Sequence, residues 1–511
     1  MPRVNVPGRT AGVAGALLAA VWLTGCPSQG PPPAVESVTI EGGDRLLAVG
    51  GSVRLSAQVS PAGAAAGLTW YSADPAVAAV TGSGASADVV GVAAGATTVT
   101  VVSASDPAKN DSVAVEVLEP GSVLWTQQFG TDVVDQCESV AAAPDGTVVL
   151  TGPTAGALDG PHNGQRDVFA RGYGPDGQPR WGQQFGSSGN DTGYGTAVAA
   201  DGSMAVAGST SGDLATGNAG GADVFVRRYD QGGAAVWTRQ FGTAAADRAA
   251  AVAFAPDGHL LVAGPTDGSL EGTGAGGADA FVRRFDVGGN TKWTRQFGTP
   301  AGDTVFAIAV DGSGAVVVAG ATDGSLAPGG GGSTDAYLRK YDAAGDHLWT
   351  RQFGDAGFDR ALGVAVDADG NVLVAGITDG VVGEASAGSF DAFVRKYGPG
   401  GDHLWTVQFG TATTDSANAV ATDGAGDVVV VGYTYGTLAG ANADDSDVFV
   451  SKYSPEGAHL WTRQFGTASP EVANAVATDS WGRSIVCGYT RGVLAGPGFG
   501  LADAFARSFG P

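Results

Sequence analysis

Residues 348–397 read LWTRQFGDAGFDRALGVAVDADGNVLVAGITDGVVGEASAGSFDAFVRKY. Four runs in this stretch have strand character: LWTRQFG around Trp349, ALGVAVD from Ala361, NVLVAGITDG from Asn371 and DAFVRKY from Asp391. Gly- and Asp-rich turns separate them. The same order recurs along the chain without drift. Trp125, Trp181, Trp237, Trp293, Trp349, Trp405 and Trp461 are spaced by 56 residues, as are Asp167, Asp223, Asp279, Asp335, Asp391, Asp447 and Asp503. Seven such periods fill residues 120–511. Four strands in a repeat of this length predict the blade of a β-propeller.

Small residues mark the innermost strand. Sixteen positions after each tryptophan stands alanine (Ala141, Ala197, Ala253, Ala309, Ala365, Ala421 and Ala477), and strands crowded at an axis leave room for little else. These runs become strand A, followed by B and C, with the tryptophan run as the outer strand D. The array then begins with a D strand at Leu124 and ends with a C strand at Phe509. Pairing the first onto the last removes both open edges, so a closed seven-bladed ring is expected. Its hub should be lined with small side chains that leave no reactive pocket. The repeats resemble the SBBP-type bacterial β-propeller repeat over residues 120–511, which implies an exported protein without indicating an activity.

Upstream, residues 35–119 hold seven short alternating runs: 38–40, 53–59, 68–71, 77–80, 89–92, 96–102 and 113–117. This pattern suggests an immunoglobulin-like sandwich with Trp70 as its core plug. The stretch LTWYSADP from Leu68, with Gly91-Val92-Ala93-Ala94-Gly95, resembles the group-two bacterial immunoglobulin-like domain, a spacer or adhesive module of bacterial surfaces. The whole is therefore read as all-β, sandwich then propeller.

Residues 1–25 run from Arg3 and Arg9 through AGVAGALLAAVWL to Leu23-Thr24-Gly25, just before Cys26. The apolar run suits an export signal and is too short to span a bilayer comfortably. The end of the segment resembles the lipobox of bacterial lipoproteins, which implies cleavage before Cys26, lipidation of that residue and a membrane partner. Residues 26–34 are a Pro-rich tether. Pro27 stands where the family's inner-membrane retention signal has Asp, so outer-membrane placement is expected, with the periplasmic or surface face open.

Composition narrows the function. The formal net charge is −24, from 27 Lys+Arg against 51 Asp+Glu. Such a surface repels a phosphate backbone, and a nucleic-acid partner is not expected. A residue repeated in every blade builds the blade before it performs chemistry; Gln128, Thr154, Gly146 and their counterparts are read that way. An acidic series ten positions after each tryptophan, Asp135, Asp191, Asp247, Asp303, Asp359, Asp415 and Glu471, is placed in the D-to-A connection. These acids are expected to cap loop amides, with a hard cation such as calcium as the alternative occupant. The DADG run at Asp367 stands alone, in a hairpin.

The B-to-C loop differs in every unit, from ALDGPHNGQR to VLAGPGFGLA. A protein or glycan ligand is expected there if anywhere. His162, His259, His347, His403 and His459 fall in connections on different faces, so neither a metal triad nor a nucleophile–histidine pair is expected. Cys137 and Cys487 both fall near the closing seam, where two buried thiols are expected and a disulfide is the alternative. The expected function is a monomeric, noncatalytic binding or structural scaffold without a cofactor. The rivals are an adhesin and an enzyme acting on glycans or small molecules through rim carboxylates such as Glu271, Glu384, Asp444 and Asp445.

Overall fold

The computed structural model describes residues 33–511 apart from 63, 65, 66, 216 and 384. The export segment, Cys26 and Glu384 lie outside the described residues. The described residues are all-β, and the strands fall into two groups.

The first group is β1 (Ser37–Ile40), β2 (Arg45–Ala48), β3 (Ser52–Ser60), β4 (Leu68–Ser72), β5 (Ala78–Ser83), β6 (Ser86–Gly91), β7 (Gly95–Ser103) and β8 (Asn110–Leu118). They are hydrogen-bonded in the order β1-β3-β6-β5-β4-β7-β8-β2. Alternate residues turn inward to a core that includes Leu55, Trp70, Val89, Val99 and Val115. Trp70 is buried and spends its indole N–H on the Gly84 carbonyl at 3.0 Å, as a core tryptophan must. Strand β2 is an eighth strand absent from the sequence reading. It pairs in parallel with β8, so no hairpin turn announces it.

The second group forms seven four-stranded sheets, numbered one to seven from the inner strand Ser139–Ala142. Blade five shows the pattern, with A at Asp359–Val366, B at Val372–Thr378, C at Asp391–Tyr397 and D at His403–Phe409. Blade seven takes A, B and C from Glu471–Thr478, Ser484–Thr490 and Asp503–Phe509, and its D strand is β9 (Val123–Phe129). Phe505 opposes Gln128 in that pairing, so the amino-terminal strand closes the ring. Each A strand lies against the A strands of both neighbours, including blade seven against blade one.

The repeated residues are fasteners. Phe353 of strand D meets Phe393 of the following blade edge to face at 5.8 Å, and six equivalent pairs go around the ring. The Trp349 indole N–H reaches the next blade's Pro399 carbonyl at 3.1 Å, and Trp125 does the same across the closing seam to Pro175. The A-to-B hairpin glycine has positive φ, 76° at Gly146. Below it Asp367, the first acid of the DADG run, pairs with Lys396 at 2.9 Å and accepts backbone N–H groups of Asp369 and Asn371. That run is a turn brace.

Candidate functional site

The B-to-C loops and D-to-A connections share one face, called the upper face. They are stitched into a continuous rim: the N–H of Asp359 donates to the Thr334 carbonyl of the preceding blade at 2.9 Å, and the other six acids of the series do likewise. In five blades the acid opens strand A, and in the other two Asp135 and Asp247 form single bridges to Thr154 and Thr266. This corrects its placement in the D-to-A connection. The extended rim hydrogen bonding carries the strand two or three residues further than the apolar run.

The acids cap loops. Asp135 accepts the Thr131 N–H at 2.6 Å and its hydroxyl at 2.8 Å; Asp191 takes Ser187, Asp247 Thr243, Asp303 Thr299, Asp359 Asp355, Asp415 Thr411 and Glu471 Thr467. Across a glycine stands the acid of the Asp167 series, as at Gly186, where a Cβ would collide with Asp167. Burial pushes the carboxyls of Asp303, Asp359, Asp415 and Glu471 up, with the facing acid adding to the shift. Among the described residues no group of three or more His, Cys, Asp or Glu is poised to hold a metal ion.

The variable loops are anchored by glutamine. Gln352 of strand D donates to Asp335 at 2.8 Å and to the Gly324 carbonyl at 2.9 Å, while its amide oxygen accepts the N–H groups of Leu326 and Ala327. Gln128 repeats the clasp across the closing pair of strands, on Gly492, Asp503, Leu494 and Ala495. Beyond these clamps the loop side chains face solvent. Val381, Val493, Phe499 and Leu501 are all exposed.

At the mouth of the ring the expectation of a uniformly small hub fails. Thirteen positions after the tryptophan, within strand A or directly before it, stand Glu138, Tyr194, Ala250, Phe306, Leu362, Asn418 and Asn474. In five blades this residue is the extra one of a β-bulge, as Tyr194 is between Gly193 and Gly195. Bulged out of the ladder, it escapes the packing that keeps its neighbours small. All seven are half-buried, where the inner strands converge below the rim.

These side chains reach across blades. Asn418 donates to the Ala473 carbonyl at 2.9 Å; Asn474 donates to the Cys137 carbonyl at 3.0 Å and to Glu138 at 3.3 Å. Burial pushes the Glu138 carboxyl up to about 6, with Arg166 partly opposing the shift. Nearby Tyr433 and exposed Tyr435 meet edge to face at 5.9 Å. On the other side Arg248 lies 6.0 Å from the Tyr194 ring and Arg360 5.8 Å from Phe306. The Arg360 Nε is buried without a hydrogen-bond partner. Aromatic faces, amides, a carboxylate and guanidiniums thus share one annulus, a mixture able to stack on and hydrogen-bond a polar ligand. Alternating polarity concealed this ring, because a bulge shifts the side-chain phase by one residue. The signal available was variation at one position inside an otherwise repeating strand.

The other expected residues do not converge. His347, His403 and His459 each contact a threonine hydroxyl of their own strand at 2.8 Å. His259 pairs with Arg284 in a lower hairpin, and His162 lies 3.7 Å from Asp167. Glu271 bonds the Gln296 N–H and Arg295 of its own blade. Asp445 accepts the Ser446 N–H of its own loop, and the Asp444 backbone N–H donates to the Asn442 side chain. Cys137 and Cys487 are buried free thiols brought into one core cluster. The sandwich occupies the lower face, where β2 and β8 border a groove of 310 Å³ with Pro175, Trp481 and Arg483 of the propeller. The mouth and the variable loops lie on the opposite side.

Residues 34–115 match the bacterial Ig-like domain (group 2) family. A 218-residue stretch, 38% of the chain, is 32% identical to the regulatory protein FlaEY of Caulobacter vibrioides and covers 23% of it. Another of 181 residues, 30% of the chain, is 28% identical to an uncharacterized WD repeat-containing protein of Acanthamoeba polyphaga mimivirus and covers 13% of it. The chain thus spans less than a quarter of either relative. Among solved structures it is similar to YCF48 (9% identity, TM-score 0.40, 77% of this chain and 96% of that one). It is also similar to an ulvan lyase (12%, 0.39, 71% and 93%) and to a Hadza microbial sialidase (10%, 0.37, 68% and 74%). At such distances nothing about chemistry follows from them.

Proposed function

We propose that this chain is an exported lipoprotein of the cell envelope, held at Cys26, in which the sandwich is a spacer and an SBBP-type propeller is a noncatalytic scaffold that binds through its upper face. One observation carries the binding surface: at seven equivalent positions, five of them bulges, the side chain takes six identities, while the fasteners around it repeat. A frame that holds its geometry and varies its contacts is built for recognition. The lower-face position of the sandwich supports the same polarity, with the anchor side below and the open loops above. The basic start, apolar run and Cys26 support export and lipidation, and Pro27 supports the outer membrane. The ligand class is a protein or glycan of the envelope.

Two measurements test this. Metabolic labelling with a fatty acid should label the wild type and not Cys26→Ser; an unlabelled wild type removes the anchor. Binding to envelope fractions should be lost in a Tyr194→Ala/Phe306→Ala variant that melts like the wild type. Undiminished binding moves the surface elsewhere.

Glu138 favours a second reading. A carboxyl with a pKa of about 6 beside an amide is suited to proton transfer near neutrality. Turnover of envelope glycans that disappears in Glu138→Gln would make the propeller an enzyme.

A further inference from the structure

Every seam between blades contains the same small contact. The residue twelve positions after the tryptophan, at the start of strand A, faces the residue twenty-six positions after the preceding tryptophan, on strand B of the blade before. Ala249 meets Ala207, Val305 meets Ala263, Ala361 meets Ala319, Ala417 meets Ala375 and Ala473 meets Val431, each pair within one core cluster. At Gly193 the facing side chain is Thr151. At the closing seam, and only there, both positions are cysteine.

The backbone holds the two cysteines as it holds the alanines. The Cys137 N–H donates to the Gly488 carbonyl at 3.3 Å, as Ala249 donates to Gly208 at 3.3 Å, which places Cys137 beside the residue next to Gly488. Cys487 pairs with Ala475, whose neighbour Asn474 binds the Cys137 carbonyl at 3.0 Å. Both thiols are fully buried in one core cluster, where the Cys137 thiol donates to the Ser139 carbonyl at 3.5 Å, and burial with Cys137 beside it pushes the Cys487 thiol well up.

We propose that Cys137 and Cys487 form a disulfide that covalently latches blade seven to blade one. The oxidant is a small-molecule disulfide. Each protein sulfur gives up its hydrogen, one S–S bond forms between Cys137 and Cys487, and the S–S bond of the oxidant breaks to release two thiols. Formation in the cell rests on the export proposed above; formation in the purified protein does not. The burial that keeps the Cys487 thiol protonated makes exchange slow in the closed ring, because the thiolate is the nucleophile. Oxidation therefore proceeds while the seam is open, during folding or local opening, and the buried bond then resists reduction.

The bond spans the ring from its first inner strand to its last blade. It constrains the long loop between its ends in the unfolded chain, which is where a disulfide stabilises most. Alanine fills these slots in other blades, so Cys137→Ala and Cys487→Ala variants fold and serve as controls.

The test uses the full chain in a Cys26→Ser background, so that the third cysteine does not compete. The reduced protein is incubated with oxidised glutathione under native conditions and at partly unfolding urea, then unfolded, alkylated and digested without reductant. The expected result is a linked peptide pair containing Cys137 and Cys487, with neither residue alkylated and faster formation in urea. The thermal midpoint should fall by a few degrees on adding reductant, and only when both cysteines are present. Two fully alkylated thiols, or glutathione left on either cysteine without a linked pair, overturns the proposal. An unlinked pair in protein isolated from the envelope, with linkage in the purified chain, instead overturns the compartment.

Discussion

Blade five and blade seven have the same four strands and the same clamps, yet one is continuous in sequence and the other is assembled from both ends of the repeat array. In blade five, Gln408 grips the loop between strands that directly precede it. In blade seven, Gln128 grips residues more than 360 positions later. Local chemistry at the two is indistinguishable; the difference is that the grip in blade seven also closes the ring. Closure thus needs no special contacts, only the ordinary blade contacts made between distant segments at the cost of a long loop. The closing seam differs in two additions, the adjacent cysteines and the groove bordered by the sandwich.

The comparison can be broken most strongly in the aromatic pairs. Phe393→Ala and Phe505→Ala each remove a fully buried ring and should each cost about 4 kcal/mol in urea unfolding. In the reduced protein Phe505→Ala should also speed exchange of the β9 amides, because that strand is held by the closing blade alone. Equal protection of β9 in both variants would show that closure is not the weak point. Next come the clasps: Gln128→Ala and Gln352→Ala each leave two loop N–H groups unpaired and take one donor from a buried aspartate, for about 2 kcal/mol. The first should additionally lower the cooperativity of unfolding, read from the slope of the urea transition, and an unchanged slope would count against ring closure as a stability element.

Much of this was legible before any coordinates. The period, four strands per unit, the small inner strand and closure by β9 follow from residues that repeat because every blade solves the same packing problem. The capping role of Asp135 and its series was also readable, from an acid placed before each inner strand. Three features were not. Strand β2 pairs in parallel with a distant strand, and parallel pairing leaves no local turn signal. The acids extend strand A because a neighbouring blade supplies their hydrogen bonds, which one repeat cannot show. The ring that includes Tyr194 and Phe306 was hidden by bulges in five of its seven blades, since pattern reading assumes an unbroken two-residue period. The candidate site thus lies where periodic reasoning stops applying, at a position that takes six different residues in seven blades.

The smallest expected effect tests that ring without disturbing the frame. The Glu138 carboxyl titrates at about 6 in the folded chain against an ordinary 4.5, because burial disfavours its charge. The folded state therefore holds this proton more tightly than the unfolded state, so the contribution to stability is full below about 4.5 and is lost as pH rises through about 6. Glu138→Gln keeps the shape and the contact with Asn474 but has no proton to lose. Measured as the difference between the two proteins, stability should be flat below pH 4.5, move in favour of the glutamine variant by about 1 kcal/mol between there and pH 6, and be flat above; the full shift corresponds to about 2 kcal/mol, which solvent screening of a half-buried carboxyl reduces. The raised carboxyls of Asp303, Asp359, Asp415 and Glu471 shift in the same direction in both proteins and cancel in the difference. Leu362, at the equivalent position of blade five, supplies the control, since Leu362→Ala should change stability by the same amount at every pH. A difference curve for Glu138→Gln that is flat throughout would mean that water reaches this carboxylate freely, and the mouth would then be an open funnel and not a binding annulus.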